Sequence, residues 1–368
     1  MNNNKKIRVG ILFGGRSAEH EISLLSAKNV VDALNKEKYD IYLIGIDKEG
    51  EWHLRDAYQY LLHADNAKLV RLHGSQGTVA LIPKKQGKEI VKYSGKELQN
   101  PLQLDVIFPV LHGTYGEDGT VQGLLKLANI PFVGASVLGS AVGMDKDVMK
   151  RLMRDANLPI AKFIVADQVR MAKLDFAEVI RELGLPLFVK PANLGSSVGI
   201  SKVKTQKDLL PACEEAFRYD RKIIIEEFIA GREMECSVMG NEHPVASVLG
   251  EVIAHDEFYS YDAKYMENGS DFIIPPNVDA KISLKMRELA INTYQALCCE
   301  GLARIDFFLK NNGDVIVNEI NTIPGFTNTS MFPKLWEASG VSKPELMDQL
   351  IQFAIERHRK EKSLKTTF

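Results

Sequence analysis

The chain contains 368 residues, of which 45% are hydrophobic, and it carries a formal net charge of −2. This length exceeds one ordinary hydrophobic core and predicts two or three domains. A nearly neutral chain has no large positive field, so we expect small-molecule partners rather than nucleic acid or a membrane surface. The early apolar run ends at Gly14, too soon for a signal peptide or a membrane span, and the cysteines show neither metal-ligand nor redox spacing. We therefore expect a cytoplasmic protein.

The N-terminal part of the chain has the pattern of a parallel βαβ unit. Residues 7–13 form an apolar run with one interruption, as expected of a strand that is buried on both faces. A glycine turn leads into a helix with apolar residues at Ile22, Leu25 and Val30, and a second strand is predicted at 39–46. Another strand is predicted at 106–110. The more polar stretch 52–100 is interpreted as an irregular insertion with no chemistry of its own.

The rest of the chain has the pattern of two α+β halves. Helices are predicted at 145–156, 175–183, about 281–298 and about 342–361, and strands at 163–165, 187–190, 223–228, 237–250, 301–309 and 314–320. The predicted fold class is α/β, with a parallel-sheet domain at 1–137 followed by α+β subdomains at 138–233 and 234–368.

Two strands near the C-terminus carry polar residues on one face. Arg304 shares a face with Asp306, and Glu319 shares a face with Asn321, because strand side chains alternate. If the strands pair as a hairpin, their oxygen ligands converge beside a guanidinium, an arrangement that is costly to bury without a metal and an anion. Oxygen ligands without Cys or His favour Mg²⁺ or Mn²⁺, and Mg²⁺ usually accompanies phosphate. The alternative is a surface hairpin with a salt bridge.

A second candidate site is the loop that follows Lys190. Gly195, Ser196 and Ser197 are small enough for backbone N–H groups to approach an anion, and Lys190 at the preceding strand end adds a positive charge. This combination predicts phosphate binding, although it is not the P-loop pattern. Standing alone, such a loop could equally be a hairpin turn.

Residues 225–229 and Glu233 suit an adenosine. Phe228 and Ile229 can form an apolar slot for a purine, and Glu233 can accept hydrogen bonds from ribose hydroxyls. The alternative is a polar strand terminus with two solvated glutamates, Glu226 and Glu227.

In the first domain, Glu19 and His112 follow predicted strands. Both should face the crevice at the carboxyl ends of a parallel sheet, where a carboxylate suits a substrate ammonium. Ser17 can cap the helix that begins after it. The simpler alternatives are an acidic residue that complements the helix dipole and a histidine bonded in a turn.

Two further loops suit the covering and stabilisation of a reacting group. Residues 256–265 hold four aromatic side chains and Lys264, as expected of a lid that excludes water, or else of a packed surface loop. Gly325 could direct backbone N–H groups at an oxyanion, and Ser330 could hold a carboxylate. A turn followed by a capped helix is the alternative for this second loop.

In this order, the motifs resemble those of the D-alanine–D-alanine ligases, members of the ATP-grasp fold group. The motifs are Gly14-Gly15-x-Ser17-x-Glu19-x-Glu21-Ile22-Ser23, His112-Gly113-x-x-Gly116-Glu117-Asp118-Gly119, Lys190-Pro191-x-x-x-Gly195-Ser196-Ser197-Val198-Gly199, Tyr261-x-x-Lys264-Tyr265, Arg304-x-Asp306 and Asn318-Glu319-x-Asn321-Thr322-x-Pro324-Gly325. The resemblance implies two ATP-grasp subdomains that enclose the nucleotide. It also implies that ATP phosphorylates one D-alanine, that the amine of a second attacks the acyl phosphate, and that D-alanyl-D-alanine is supplied for peptidoglycan, the cell wall and cell shape.

The resemblance also implies a role for each matching residue. Catalytic roles fall to Glu19, Ser196, Tyr265, Arg304 and Gly325. ATP would contact Lys146, Lys190, Ser197, Glu226, Glu227, Phe228, Ile229, Glu233, Lys264, Phe308 and Asn318. Substrate would contact His112, Ser330 and Met331, and Asp306, Glu319 and Asn321 would hold two Mg²⁺ ions, for which Mn²⁺ can substitute.

The resemblance further implies a homodimer whose substrates are D-alanine and ATP. The nearest alternative is a sibling ligase that joins D-alanine to D-serine or D-lactate, against which Tyr265 beside Lys264 argues. A regulator that binds nucleotide without chemistry is a rival of another class, although the catalytic residue types are intact. A nicotinamide dehydrogenase is disfavoured because the first glycine turn lacks the G-x-G-x-x-G pattern.

Overall fold

The computed structural model describes residues 5–56, 59–64, 66, 68–83, 89–94, 97–98, 101–254 and 270–365. The described strands are β1 (Ile7–Gly14), β2 (Tyr39–Ile46), β3 (Trp52–Arg55), β4 (Leu61–Leu62), β5 (Arg71–Leu72), β6 (Thr78–Leu81), β7 (Glu89–Ser94), β8 (Glu97–Leu98), β9 (Leu102–Gln103), β10 (Val106–Val110), β11 (Phe163–Asp167), β12 (Leu187–Pro191), β13 (Ser201–Val203), β14 (Lys222–Glu227), β15 (Arg232–Gly240), β16 (Val245–Ala254), β17 (Ser270–Ile273), β18 (Gly301–Leu309) and β19 (Val315–Asn321). The described helices are α1 (His20–Ala33), α2 (Thr120–Leu127), α3 (Val137–Met144), α4 (Lys146–Asp155), α5 (Gln168–Met171), α6 (Phe176–Leu183), α7 (Gln206–Phe217), α8 (Ala280–Ala296), α9 (Met331–Ala338) and α10 (Lys343–Ser363).

The first sheet contains the parallel βαβ unit that the sequence predicts. Strand β1 lies between β10 and β2 and pairs with both in parallel, with α1 as the crossover. Because β1 is covered on both faces, Ile11, Leu12 and Phe13 are fully buried. The carboxyl ends of β1 and β10 therefore lead into neighbouring loops, and these loops carry Glu19 and His112.

The interpretation of residues 52–100 as an irregular insertion is wrong. Strands β3, β6, β7 and β8 continue the first sheet in the order β10-β1-β2-β3-β6-β7-β8, and β9 pairs with β7. These added pairings are antiparallel. Antiparallel strands can bury one face only, so their sequence is more polar than that of β1. Val79 and Ile90 are nevertheless buried in a shared core with Leu12 and Ile44.

The other two main sheets are antiparallel. One has the order β11-β14-β12-β13, and the other has the order β17-β16-β15-β18-β19. In the second of these, β18 and β19 form the predicted hairpin, in which Asp306 lies opposite Glu319 and Arg304 lies opposite Asn321. Along β18, fully buried residues alternate with partly exposed ones at 304, 306 and 308. The polar face of the hairpin is therefore accessible, while its other face packs in the core.

Helix α10 connects the C-terminal part of the chain to the first sheet. Leu350 and Ile351 share a hydrophobic core with Val9 and Phe108 of the first sheet. Arg357, also on α10, donates hydrogen bonds to the carbonyl groups of Phe132 and Gly134. These contacts hold the N-terminal loops against the antiparallel sheet. Over the described part of the chain, no helix combines the length and the apolar character needed to cross a membrane.

Candidate active site

One cleft is lined by strands of the third sheet, by the loops that follow β1, β10 and β12, and by the segment that follows β19. Its volume is about 1060 Å³, open mouth included. Of the residues that the sequence predicts as functional, those that line it are Glu19, His112, Ser196, Glu233, Arg304, Asp306, Phe308, Asn318, Glu319, Asn321, Gly325, Ser330 and Met331. The structure thus brings together residues that are up to 312 positions apart in the chain.

The hairpin contributes a group of carboxylates around one guanidinium. Arg304 donates from Nε to Asp306 Oδ1 at 2.7 Å and from Nη2 to Asp306 Oδ2 at 2.8 Å, and its Nε lies 3.0 Å from Glu235 Oε2. Glu319 faces Asp306 across the strand pair. We call Glu235, Asp306 and Glu319, with Arg304, the carboxylate wall. Glu235 was missed because alternation within β15 can be recognised only once its neighbour β18 is known.

The carboxylate wall suits a divalent cation. Its three carboxylates outnumber its one guanidinium, and every candidate donor, Asn321 included, is an oxygen ligand or can present one. Asn321 now donates from Nδ2 to Asp306 Oδ2 at 3.0 Å, and rotation of its amide would present Oδ1 instead. The polar face lines the cleft, so the alternative of a surface hairpin is wrong, although its salt bridge is present between Arg304 and Asp306.

Beside this group, and outside the residues that line the cleft, lies a second group that is rich in lysine. Glu226 is only 3% exposed, and it forms ion pairs with Lys150 at 2.7 Å and with Lys190. Burial alone would raise the pKa of Glu226, but the two ammonium groups outweigh burial and lower its pKa to about 2. The alternative of two solvated glutamates is therefore wrong for Glu226. We call Lys146, Lys150 and Lys190, with Glu226, the lysine wall.

The lysine wall contacts the carboxylate wall through two of its members. Lys146 donates to the carbonyl of Leu194 at 2.7 Å and lies 3.6 Å from Glu319 Oε2. Lys150 donates to the carbonyl of Asn318 at 3.2 Å. Lys150 was not predicted, although its position four residues after Lys146 places it on the same face of α4. This spacing was the available signal.

The loop after Lys190 reaches the first domain. Ser196 and Ser197 both adopt left-handed backbone conformations, with φ values of 52° and 60°. Non-glycine residues rarely occupy this region, and such strain is often found at functional sites. The Ser196 hydroxyl donates a hydrogen bond to Glu19 Oε1. Glu19 and Ser196, which the resemblance assigns to catalysis, are thus in contact, whereas Tyr265, another of the residues given a catalytic role, lies outside the described residues.

Glu19 is held at the start of α1 by its neighbours. It is itself the N-cap residue, so the predicted capping by Ser17 is wrong. The Ser17 hydroxyl instead accepts from the Glu19 N–H at 3.0 Å and donates to the His112 carbonyl at 2.7 Å, because a serine readily bonds the N–H two residues on. A side chain at Gly113 would approach Glu19 Oε2 to 2.7 Å, so only glycine fits there.

Glu117 is a second carboxylate near Glu19 that the sequence analysis did not assign a role. Its Oε2 accepts from the Gly113 N–H at 2.7 Å, and its Oε1 accepts from the Ile323 N–H at 3.1 Å. Burial and the charge of Glu19 raise its pKa above the ordinary value, against the effect of these N–H groups and of Arg304. It lay inside the quoted His112–Gly119 motif, and that was the available signal.

His112 lies in the cleft wall with both ring nitrogens engaged. Nδ1 lies 3.1 Å from the Ile323 carbonyl, and Nε2 lies 3.0 Å from the Ser26 hydroxyl. Burial lowers its pKa, while the charge of Glu19 acts in the opposite direction. These contacts leave the ring fixed between the first domain and the segment that follows β19.

That segment contains Gly325, predicted to bind an oxyanion through backbone N–H groups, and Ser330, predicted to bind a substrate carboxylate. A Cβ at Gly325 would lie 2.6 Å from Ser330 Oγ, so a glycine is required by close approach. The Ser330 hydroxyl accepts from the Thr327 N–H at 2.9 Å, and Met331 begins α9 immediately afterwards.

The residues predicted for adenosine are distributed over a larger area. Glu233, Phe308 and Asn318 line the cleft. Phe228 is 38% exposed beside Phe188, with ring centroids 6.1 Å apart. Ile229 is buried, and Glu227 accepts from the Lys162 N–H at 2.7 Å. Lys264 and the rest of the predicted lid, residues 256–265, lie outside the described residues.

Comparison with protein families gives matches along both halves of the chain. A model described as "D-ala D-ala ligase N-terminus" matches residues 8–135, and one described as "D-ala D-ala ligase C-terminus" matches residues 152–352. The gap between the two matches, residues 136–151, contains α3 and the first part of α4.

Individual relatives match almost the whole chain. A D-alanine–D-alanine ligase of Shouchella clausii is 52% identical over 98% of both chains, and D-alanine–D-alanine ligase A of Escherichia coli K12 is 51% identical over 99% of this chain and 100% of its own. Among solved structures, the D-alanine–D-alanine ligase of Coxiella burnetii has a TM-score of 0.81 at 37% identity, covering 97% of this chain and 96% of its own. The VanG D-Ala:D-Ser ligase of Enterococcus faecalis has a TM-score of 0.82 at 34% identity, covering 95% and 100%. The chain belongs to the D-alanine–D-alanine ligase family.

Proposed function

We propose that the chain uses ATP to join two D-alanines into D-alanyl-D-alanine, a precursor for peptidoglycan, in the cytoplasm. The observation that carries this proposal is that one cleft, lined by Glu19 as a carboxylate for an amine and by the carboxylate wall, adjoins the lysine wall, whose Lys146 lies 3.6 Å from Glu319 Oε2. The first feature suits an amino acid, and the two walls suit phosphate and its metal ions.

We further propose an ATP-grasp arrangement for the two antiparallel sheets. The domains would be 1–137 for substrate, 138–233 for the central subdomain and 234–368 for the C-terminal one, with the second boundary at the start of β15. This proposal is supported by the cleft lining, to which one sheet contributes the loop after β12 and the other contributes β15, β18 and β19. Light scattering of the purified chain would test the proposed homodimer.

The two walls divide the binding of ATP. Lys146, Lys190 and Ser197 would contact phosphate oxygens, and Lys264 would reach the transferred phosphate. Glu226 would fix Lys190 rather than contact adenosine itself, because both ammonium groups already occupy it. Glu227, Phe228, Ile229, Glu233, Phe308 and Asn318 would contact adenosine and the neighbouring phosphates.

Asp306, Glu319 and Asn321 would hold two Mg²⁺ ions, for which Mn²⁺ can substitute. Bound there, the ions would neutralise charge on the transferred phosphoryl group. The protein itself supplies fixed ligands on a rigid hairpin whose other face is buried.

In the acyl step, the residues nearest the reacting carbonyl would bind and orient it. Glu19, with Ser196 and Tyr265, would hold the first substrate at its ammonium group. The carboxylate oxygen of that D-alanine attacks the γ-phosphorus and ADP leaves. The second amine then adds to the acyl carbon, loses a proton and expels phosphate, while Arg304 and the Gly325 N–H would stabilise the oxyanion.

The second D-alanine would lie against His112, Ser330 and Met331. Ser330 would hold its carboxylate, since the hydroxyl is already positioned by the Thr327 N–H. The sequence identity to ligases named for D-alanine, 52% and 51%, exceeds the 34% to the D-Ala:D-Ser ligase, and it favours D-alanine as the second substrate.

Phosphate release coupled to product identification tests the function. The purified chain is incubated with ATP, Mg²⁺ and either D-alanine or L-alanine, and the product is identified by mass spectrometry. We expect phosphate and D-alanyl-D-alanine in equal amounts with D-alanine only. Parallel reactions that include D-serine or D-lactate distinguish the sibling ligases, and a mixed product at comparable rate would favour them instead. ATP binding without phosphate release would favour a regulator.

A further inference from the structure

Helix α1 carries a buried polar stripe that is separate from its apolar face. Ser23, Ser26 and Asn29 recur every third residue and therefore lie along one side of the helix. Ser23 accepts from the Gly14 N–H at 2.7 Å and donates to the Val110 carbonyl, which fixes the helix to β1 and β10. The other two residues reach a different element, the segment that follows β19.

Ile323 and Phe326 each bond through both the backbone N–H and the backbone carbonyl to side chains from the first 120 residues. Ile323 donates to Glu117 Oε1 at 3.1 Å, and its carbonyl lies 3.1 Å from His112 Nδ1. Phe326 donates to Ser26 Oγ at 3.2 Å, and its carbonyl accepts from Asn29 Nδ2 at 2.8 Å. Ser26 also meets His112 Nε2 at 3.0 Å, so the two bonded pairs are connected.

Only Pro324 and Gly325 stand between these two fixed residues. The ring of Pro324 fixes its own φ angle, and Ser330 Oγ occupies the space beside Gly325. Few torsion angles remain free to change the direction of the Gly325 N–H. The bonds to Ile323 and Phe326 therefore set that direction.

We propose that Ser26 and Asn29 are positioning residues of the ligation site, which hold the Gly325 N–H towards the acyl oxyanion by fixing Phe326. This inference rests on the proposed function. An N–H that is aimed in advance stabilises developing charge without reorganisation, and an error in aim reduces the rate more than it reduces substrate binding. Neither Asn29 nor Ser26 lines the cleft, so their effect passes through their bonds to the backbone of Phe326.

Two variants test the positioning role. Asn29→Asp keeps the shape but replaces the donor to the Phe326 carbonyl with an acceptor, and Ser26→Ala removes the partner of the Phe326 N–H. We expect each to lower kcat about tenfold while the KM values for ATP and for the first D-alanine stay within twofold. Binding of a tetrahedral phosphinate analogue of the dipeptide should weaken by a similar factor. Lys28→Ala, which breaks only the exposed pair with Asp32 on the same helix, is the matched control.

A purely structural role would give a different result. In that case the variants would lower the unfolding midpoint while the folded fraction kept wild-type kcat and wild-type affinity for the phosphinate, and the proposal would be overturned. If Ser26→Ala fails to fold, the half-buried Asn29→Asp still decides the question. Failure of wild-type protein to form the dipeptide would count against the proposed function. The affinity of the variants for the phosphinate would then be the measurement that tests the positioning role of Ser26 and Asn29.

Discussion

In the lysine wall, which adjoins the cleft, two ammonium groups neutralise the one acidic side chain. In the carboxylate wall, by contrast, three acidic side chains outnumber the single guanidinium. Glu226 meets two ammonium groups, and Lys146 adds a third positive charge nearby. Within the carboxylate wall, Glu235 and Asp306 meet the guanidinium of Arg304, and Glu319 lies 3.6 Å from the ammonium group of Lys146. The lysine wall therefore has excess positive charge, which suits the phosphate groups of a metal-bound polyphosphate. The carboxylate wall has excess negative charge, which suits the metal ions.

The difference separates residues that stabilise the empty protein from residues that need a ligand. Removal of a buried carboxylate that is bonded to two lysines leaves their charges buried without compensation, which destabilises the folded chain whether or not a ligand is bound. Neighbouring carboxylates with too few cations repel one another until a cation binds. Removing a charge should thus have opposite consequences on the two sides of the cleft.

The largest expected effect is a loss of activity when a residue of the carboxylate wall is changed. Glu319→Gln keeps the shape of the side chain but removes a charged ligand, so we expect dipeptide formation at ordinary Mg²⁺ to fall by about 10²–10³-fold. Steady-state assays over a range of Mg²⁺ concentrations would measure the loss. Asp314→Asn, at the exposed turn of the same hairpin, serves as the control and should keep wild-type activity. Wild-type turnover in Glu319→Gln would contradict a metal site here.

The next effect is on stability in the lysine wall. Glu226→Gln leaves Lys150 and Lys190 buried without their counter-charge, so we expect the free energy of unfolding to fall by about 3 kcal/mol. Glu319→Gln, measured without metal, should change it by less than about 1 kcal/mol, because a repulsive contact is relieved. Urea denaturation of the three proteins gives both values. Equal losses in both variants would remove the distinction between the two walls.

The pH dependence of that stability follows from the lowered pKa of Glu226. Its pKa is about 2 when folded and 4.5 ordinarily, so its contribution is complete well above pH 4.5 and is lost as the pH falls towards 2. The difference in unfolding free energy between wild type and Glu226→Gln should therefore narrow steadily from pH 6 to pH 3. Denaturant titrations at several pH values would measure it, and a constant difference would show that the ion pairs are not its source.

Some parts of this structure could be predicted from local sequence and others could not. The hairpin register follows from alternation, so the convergence of Arg304, Asp306, Glu319 and Asn321 was predictable. The extension of the first sheet was not, because half-buried antiparallel strands resemble polar loops in composition. Lys150 and Glu235 become functional candidates only through partners on other elements, and those long-range pairings leave no periodic signal in the chain.

The smallest expected effect is a metal-dependent gain in stability without nucleotide. If the carboxylate wall binds Mg²⁺ in the folded chain only, a free Mg²⁺ concentration of ten times the dissociation constant should add about 1.4 kcal/mol to the unfolding free energy. Glu226→Gln should keep this gain, since its wall offers no ligand, and Glu319→Gln should lose most of it. Thermal unfolding with and without Mg²⁺, at constant ionic strength, measures the gain. The same gain in wild type and in Glu319→Gln would place the bound ion elsewhere, and the partly exposed group Asp47, Glu51 and His53 is the site to compare. Loss of the gain in Asp47→Asn rather than in Glu319→Gln would assign the bound Mg²⁺ to that group. The negative charge of the carboxylate wall would then have to be balanced by something other than Mg²⁺ alone, such as a metal ion that arrives with the nucleotide.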